Sequence, residues 1–267
     1  VDEKSFIEEW EQRRAQIASE APSLTAGELS IGNRLKTPTR LPALTEEQMR
    51  ARDERIKKQE EERRQLELLK RWQKLIDARG TRYADCQLRN YEIYGTPQEQ
   101  EQQLAVRNAL VAYCHRMPDA IQAGEGLILF GPKGTGKDHF AMALARHAIL
   151  GCGRSLIWVN GMDLWGEIRD AMDSGTSERS LISRYTWPDV LYLSDPLPPT
   201  GDLGDHQKAM LFRILDARYS NSRATWVTVN VDKREELEKR LGPQNADRLR
   251  DGATALFCYW GSYRKAK

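Results

Sequence analysis

The chain has 267 residues, 41 of them Lys or Arg and 39 Asp or Glu, for a formal net charge of +2. That length accommodates one or two domains with a sizeable core, and 40% hydrophobic residues exclude a wholly disordered chain. The charge balance argues against gripping nucleic acid by bulk charge alone, and no apolar run is long enough to predict a membrane span or a secretory signal.

Charge density is uneven along the chain. Residues 1–80 carry 17 basic and 16 acidic side chains, about 41% of that stretch, against about 25% in residues 81–267. Residues 1–17 fit a short helix with Phe6, Ile7, Trp10 and Ile17 as apolar positions. Residues 18–44 hold Pro22, Gly27, Gly32, Pro38 and Pro42 among Ser and Thr and read as linker. Thr45 and Gln48 have capping-box spacing, and no Pro or Gly follows before Gly80, so one long helix is expected over 46–78. Its second half carries a narrow stripe of Leu66, Leu69, Trp72 and Ile76. Such a helix is either a solvated rod docked at one end or a partner-binding arm. The expected organisation is therefore 1–44, helix and linker; 45–80, a charged helical arm; and 81–267, one further domain.

From residue 105 short apolar runs alternate with helical stretches. Strands are predicted over 126–130, 155–159, 189–193, 225–229 and 256–260, with helices over 137–150, from near Met162, and over 205–220. Alternation of this kind predicts an α/β fold with a parallel sheet flanked by helices, whose ligands bind at the carboxyl ends of the strands.

The loop after the first strand reads GPKGTGK, from Gly131 to Lys137, and opens a helix. Gly131, Gly134 and Gly136 let backbone N–H groups converge on phosphate oxygens, the helix N-terminus adds its dipole, and Lys137 supplies a point charge for the β- and γ-phosphates. The spacing and setting predict a nucleoside triphosphate site. A hydroxyl residue that ligates Mg²⁺ normally follows this lysine, and Asp138 stands there instead. The third strand, which should end in a metal-holding Asp followed by a catalytic acid, ends in Ser194 and Asp195. The two departures make one idea: carboxylate and hydroxyl have exchanged places, with Asp138, Ser194 and Asp195 around one metal. The competing account is a site that binds nucleotide but hydrolyses it poorly.

These residues, together with DSGTSE over 173–178, DRLR over 247–250 and WGSYR over 260–264, resemble the DnaC-type helicase loaders. Those loaders are AAA+ ATPases related to the IstB-type ATPases that assist transposition. The resemblance covers roughly residues 79–265 and implies a P-loop AAA+ sheet with an N-terminal helical arm. It implies ATP and Mg²⁺ held by Gly131, Pro132, Lys133, Gly134, Thr135, Gly136, Lys137, Asp138 and His139. It also implies Asn230 as a water-orienting sensor and Arg248, or else Arg250, as a finger reaching a neighbouring subunit in a ring or spiral. Arg264 would contact nucleotide within its own subunit. Further expectations are slow ATP hydrolysis as a switch, a replicative DNA helicase gripped by the arm, and single-stranded DNA contacted by Trp165, Arg169 and Arg179. Trp165 fits a core position as well. A transposition helper and a non-hydrolysing ATP-binding adaptor are the alternatives. Cys86, Cys114, Cys152 and Cys258 lack zinc or disulfide spacing, which favours the cytoplasm, and His115, His139, His147 and His206 lack metal-ligand spacing.

Overall fold

The computed structural model describes residues 45–175, 177–198, 201–231 and 233–266. The helix expected over 1–17 and the linker over 18–44 lie outside the described residues. By internal contacts the chain divides into two units, Val1–Arg52 and Asp53–Lys267. Of the first unit, the described part is the capped start of helix α1 (Glu46–Arg79). The Gln48 amide donates to Thr45 Oγ1 at 3.3 Å, and the Thr45 amide donates to Gln48 Oε1 at 3.0 Å.

Helix α1 ends before Gly80, whose φ of +106° lies in a region open to glycine. Of the expected apolar stripe, Trp72 and Ile76 are buried, joined by Leu75, and they pack with Met142, Ala145 and Ile149, while Leu66 and Leu69 are half-buried. That packing explains why residues 53–79 group with the larger unit, so the composition shift near Gly80 marks the end of a helix and not the edge of a compact body.

The larger unit is built on five parallel strands in the order β2-β3-β4-β1-β5: β1 (Leu127–Phe130), β2 (Leu156–Asn160), β3 (Val190–Ser194), β4 (Ala224–Val229) and β5 (Thr254–Phe257). Short Val-, Ile- and Leu-rich runs of this kind suit strands covered on both faces. One face is covered by α5 (Gly161–Asp173), α6 (Glu178–Thr186), α7 (Asp205–Ser220), α8 (Arg234–Leu241) and α9 (Pro243–Arg250), which meet Ile128, Leu191, Leu193 and Val227. The other is covered by α2 (Pro97–His115), α3 (Met117–Gln122) and α4 (Lys137–Arg146), which meet Leu129, Val190, Tyr192 and Trp226. A short helix, α10 (Tyr263–Ala266), follows β5.

Helix α4 is buried on two sides. Phe140, Ala141 and Leu144 face the sheet, while Met142 and Ala145 face α1. The small Ala side chains allow this sandwich. Two expected boundaries move. The helix expected over 137–150 ends at Arg146 and continues as a π-type turn, His147–Gly151. The last strand, expected over 256–260, starts two residues and ends three residues earlier, as Thr254–Phe257. Its ladder closes where the Cys258 amide donates to the Phe130 carbonyl at 2.7 Å, and Trp260 then leaves the sheet for another task.

Candidate nucleotide site

The loop between β1 and α4 lies at the carboxyl ends of the strands. Gly131 has φ +146°, and a Cβ there would sit 2.2 Å from the Cys258 carbonyl oxygen. Gly136, at φ +86°, lies so close to the Tyr91 ring that a Cβ would meet it at 2.7 Å. Each glycine therefore answers both a backbone angle and a close neighbour.

The loop is braced from two distant parts of the chain. Tyr91 Oη donates to the Thr135 carbonyl at 2.9 Å, and Trp260 Nε1 donates to the same oxygen at 3.0 Å. The Tyr263 amide donates to the Gly134 carbonyl at 3.0 Å. Tyr91 also stacks on Phe140, with ring centroids 4.1 Å apart. Lys137 is nearly buried, and its Nζ donates to the Gly131 and Pro132 carbonyls at 2.7 Å each. His139 Nε2 lies 2.8 Å from the Gln87 carbonyl, which makes it a support of the loop's outer wall.

Beside the loop is a cavity of about 540 Å³, within the range of small-molecule sites. Lys133, Lys137, Asp138, Asp195, Asn230 and Arg264 all line it. The fold brings these six residues, from 133 to 264, to one place. Asp195 follows β3 directly and adopts φ +47°, a left-handed angle that Asp tolerates better than most residues. Asn230 Nδ2 donates to Asp195 Oδ2 at 2.6 Å. Burial first, and then the nearby Asp138 charge, hold the Asp195 carboxyl above its ordinary pKa, while Lys137 and Asn230 pull it down.

Asp195 Oδ1, at the cavity, is buried without a hydrogen-bond partner. An all-oxygen donor set with unpaired carboxylate capacity fits a hard divalent cation such as Mg²⁺. Ser194 is buried at the end of β3, on the α4 face by strand alternation, but it is not among the residues that line the cavity. Among the described residues no group of three or more His, Cys, Asp or Glu side chains forms a metal cluster.

Other expected residues lie elsewhere. Trp165 is a correction: it is buried in the core under the sheet, and its Nε1 donates to the Pro196 carbonyl at 2.9 Å, so no ring face is left for a base. Arg169 and Arg179 are exposed. Arg248 is not among the cavity residues: its Nε bonds Asp216 Oδ1 at 3.0 Å and its guanidinium lies 4.7 Å from the Tyr219 ring centre. Arg250 Nη1 bonds Glu238 Oε2 at 3.1 Å.

The sequence reading missed one wall of the cavity, formed by Arg82, Tyr83, Asn90, Tyr91 and Tyr94. The tyrosine-rich spacing at 83, 91 and 94 was the available signal.

The model of the IstB-like ATP-binding proteins matches residues 41–242, well over half the chain. The chain belongs to this family. The IstB-like match takes in the phosphate loop, Asp195 and Asn230, but stops short of Trp260 and Tyr263. Among relatives of this IstB-like chain, the replicative helicase loader DnaC of Buchnera aphidicola subsp. Schizaphis graminum is 30% identical over 199 residues, 72% of this chain and 76% of that one. Its counterpart in Escherichia coli strain K12 is 28% identical over 184 residues, 68% of this chain and 70% of that one.

A crystal structure of the DnaC helicase loader superposes with a TM-score of 0.57 at 22% identity, covering 67% of this chain and 99% of that one. The AMPPCP-bound DnaA structure from Aquifex aeolicus gives 0.51 at 16% identity, covering 64% of this chain and 50% of that one. At these identities the structural likeness carries the AAA+ fold. No described helix is long and apolar enough to cross a membrane.

Proposed function

We propose that this chain is an ATP-controlled loader of a replicative DNA helicase onto single-stranded DNA. One observation supports that reading above the others. Helix α4 begins with Lys137 in the phosphate loop, and its opposite flank is buried by Trp72, Leu75 and Ile76 of α1. A change at the phosphates therefore reaches a charged helix whose first half presents exposed side chains to a partner. Because α4 is close-packed on both sides, a shift at its N-terminus is not absorbed by voids.

In this reading Lys137 and the loop amides bind the triphosphate, and Asp138 and Asp195 hold Mg²⁺, which supplies charge neutralisation at the phosphates. Asn230 keeps Asp195 oriented through the 2.6 Å bond. Asp195 is the candidate base for the attacking water. Arg264 contacts the nucleotide from its own subunit. Arg248, held by Asp216 and Tyr219, reaches a neighbour's nucleotide in a ring or spiral. Arg169 and Arg179 remain as phosphate contacts for single-stranded DNA. Ser194 in place of a metal-holding carboxylate favours slow hydrolysis, with ATP acting mainly through binding. It is also the feature that keeps a non-hydrolysing adaptor as the second reading.

The deciding experiment mixes the chain with the replicative helicase of its host, with and without ATP, and follows complex formation by size-exclusion chromatography. A stable complex whose yield changes with ATP supports the reading. No complex in either condition defeats it. Basal and DNA-stimulated ATP turnover, with Lys137→Ala as the blank, separates loader from adaptor.

The exchange of carboxylate and hydroxyl has its own test. Asp138→Thr alone should weaken Mg²⁺-dependent ATP binding by about tenfold, the loss of one charged oxygen ligand. Adding Ser194→Asp should restore most of it, as read by titration with a fluorescent ATP analogue. A double variant no better than the single one rejects the exchange.

A further inference from the structure

The phosphate loop is gripped by its carbonyl oxygens. Tyr91 Oη and Trp260 Nε1 both donate to the Thr135 carbonyl, at 2.9 and 3.0 Å. The Tyr263 amide donates to the Gly134 carbonyl at 3.0 Å. The segments that supply these donors are also tied to each other. Tyr94 Oη donates to the Gly261 carbonyl at 2.8 Å, and the Gly261 amide donates to Glu99 Oε1 at 2.8 Å. Tyr91 and Trp260 are both buried, and Tyr91 is further held by its stack on Phe140. One donor satisfies a buried carbonyl; two donors from distant segments also fix where it points.

A trans peptide is planar, so its C=O and the next residue's N–H point in opposite directions. Holding the Thr135 carbonyl against Tyr91 and Trp260 therefore turns the Gly136 N–H the other way. Holding the Gly134 carbonyl does the same for the Thr135 N–H. Neither amide has a partner within the protein among the described residues. Gly134 and Gly136 both line the cavity beside Lys137. Glycine at 136 gives that peptide little resistance of its own to turning. A turned peptide would present its carbonyl, the wrong pole, to a phosphate. Donors fixed in advance need no reorganisation when the anion arrives.

We propose that Tyr91 and Trp260 are positioning residues of the nucleotide site: by sharing the Thr135 carbonyl they lock the Thr135–Gly136 peptide with its N–H toward the phosphates. The proposal deepens the reading of the cavity as an ATP site and rests on it. Trp260 does not line the cavity, so its effect on binding passes through the loop backbone.

The test is a double-mutant cycle in the full chain with Tyr91→Phe and Trp260→Phe, each deleting one donor and keeping an aromatic ring. Affinity is read by displacing a fluorescent ATP analogue with ATP or with tripolyphosphate, which has the phosphates and no base. Each single variant keeps one donor on the carbonyl and should weaken both ligands about threefold. The double variant leaves that carbonyl unpaired and should weaken both about thirtyfold, beyond the roughly ninefold product of the singles. A double variant at or below that product overturns the proposal, because the donors then act independently. A loss for ATP without an equal loss for tripolyphosphate overturns it too, since the effect is then on the nucleoside. If Trp260→Phe does not fold, Tyr91→Phe alone decides: a threefold loss for both ligands supports the proposal, and unchanged affinity for tripolyphosphate overturns it. Lys137→Ala, run in parallel, distinguishes the two levels. If Lys137→Ala loses both ligands and the brace variants lose neither, this inference alone fails; if Lys137→Ala binds both normally, the reading of the cavity fails.

Discussion

Arg218→Ala should lower the midpoint of thermal unfolding by roughly 6–20 °C, the equivalent of about 3–5 kcal/mol in a unit of this size. Arg218 is fully buried on α7, and burial pulls its pKa below the ordinary value. Its compensation is a set of backbone acceptors. Nη1 donates to the carbonyls of Tyr185, Thr186 and Pro188 at 2.8, 3.0 and 3.0 Å. Nη2 reaches those of Asp189 and Ala224, and Nε donates to Thr225 Oγ1 at 3.1 Å.

Two of these carbonyls close helix α6, and the others belong to the turn into β3 and to the start of β4. Orphan carbonyls at a helix end need partners, and here one guanidinium serves the end of a helix and two strands at once. Alanine would leave those oxygens unpaired beside a cavity the size of the missing side chain. Arg218→Lys should recover only part of the loss, because an ammonium cannot address the same fan of acceptors. Differential scanning calorimetry without nucleotide is the measurement. A drop below about 2 °C for the alanine variant would mean that the turn finds other donors.

The second large effect is on binding. Lys137→Ala should weaken ATP binding by about two orders of magnitude or more, because two charge-assisted hydrogen bonds are each worth about 1.5–3 kcal/mol. Lys137 also bonds the Gly131 and Pro132 carbonyls, so the variant loses a contact that folds the loop over its own lysine. Arginine is a poor replacement, since its planar fork needs more room than this nearly buried position provides. Titration with a fluorescent ATP analogue reads the loss, and far-UV circular dichroism checks that α4 persists. An affinity within threefold of the parent would remove the phosphate-loop assignment.

How far the sequence carried differs from part to part for physical reasons. The phosphate loop, the first four strands and helix α7 were legible because their signals are local: a glycine spacing, short apolar runs, and a helical stretch matching Asp205–Ser220. Strand β5 was misplaced because apolar residues beyond Phe257 serve the loop and not the ladder. Trp165 was ambiguous because an amphipathic helix does not reveal from its own period which aromatic faces the core. Arg218 gave no signal, since a lone Arg on a helix normally points to water. The wall formed by Arg82 to Tyr94 left only a spacing of tyrosines in the sequence, because its residues meet the phosphate loop through tertiary packing. The exchange of roles between Asp138 and Ser194 is a pattern in the sequence; Asp138 lines the cavity, and Ser194 is buried and does not line it.

The brace on the phosphate loop has a consequence for the order in which the protein is made. Gly131 to Lys137 leave the ribosome well before Cys258, Trp260 and Tyr263, the residues that press on and bond the loop. At roughly 5–20 residues per second, the gap lasts about 6–25 s. During that interval the glycines have their permitted angles but lack the carbonyl, indole and amide that select among them. A nascent chain thus carries the glycine motif well before it carries the residues that brace it.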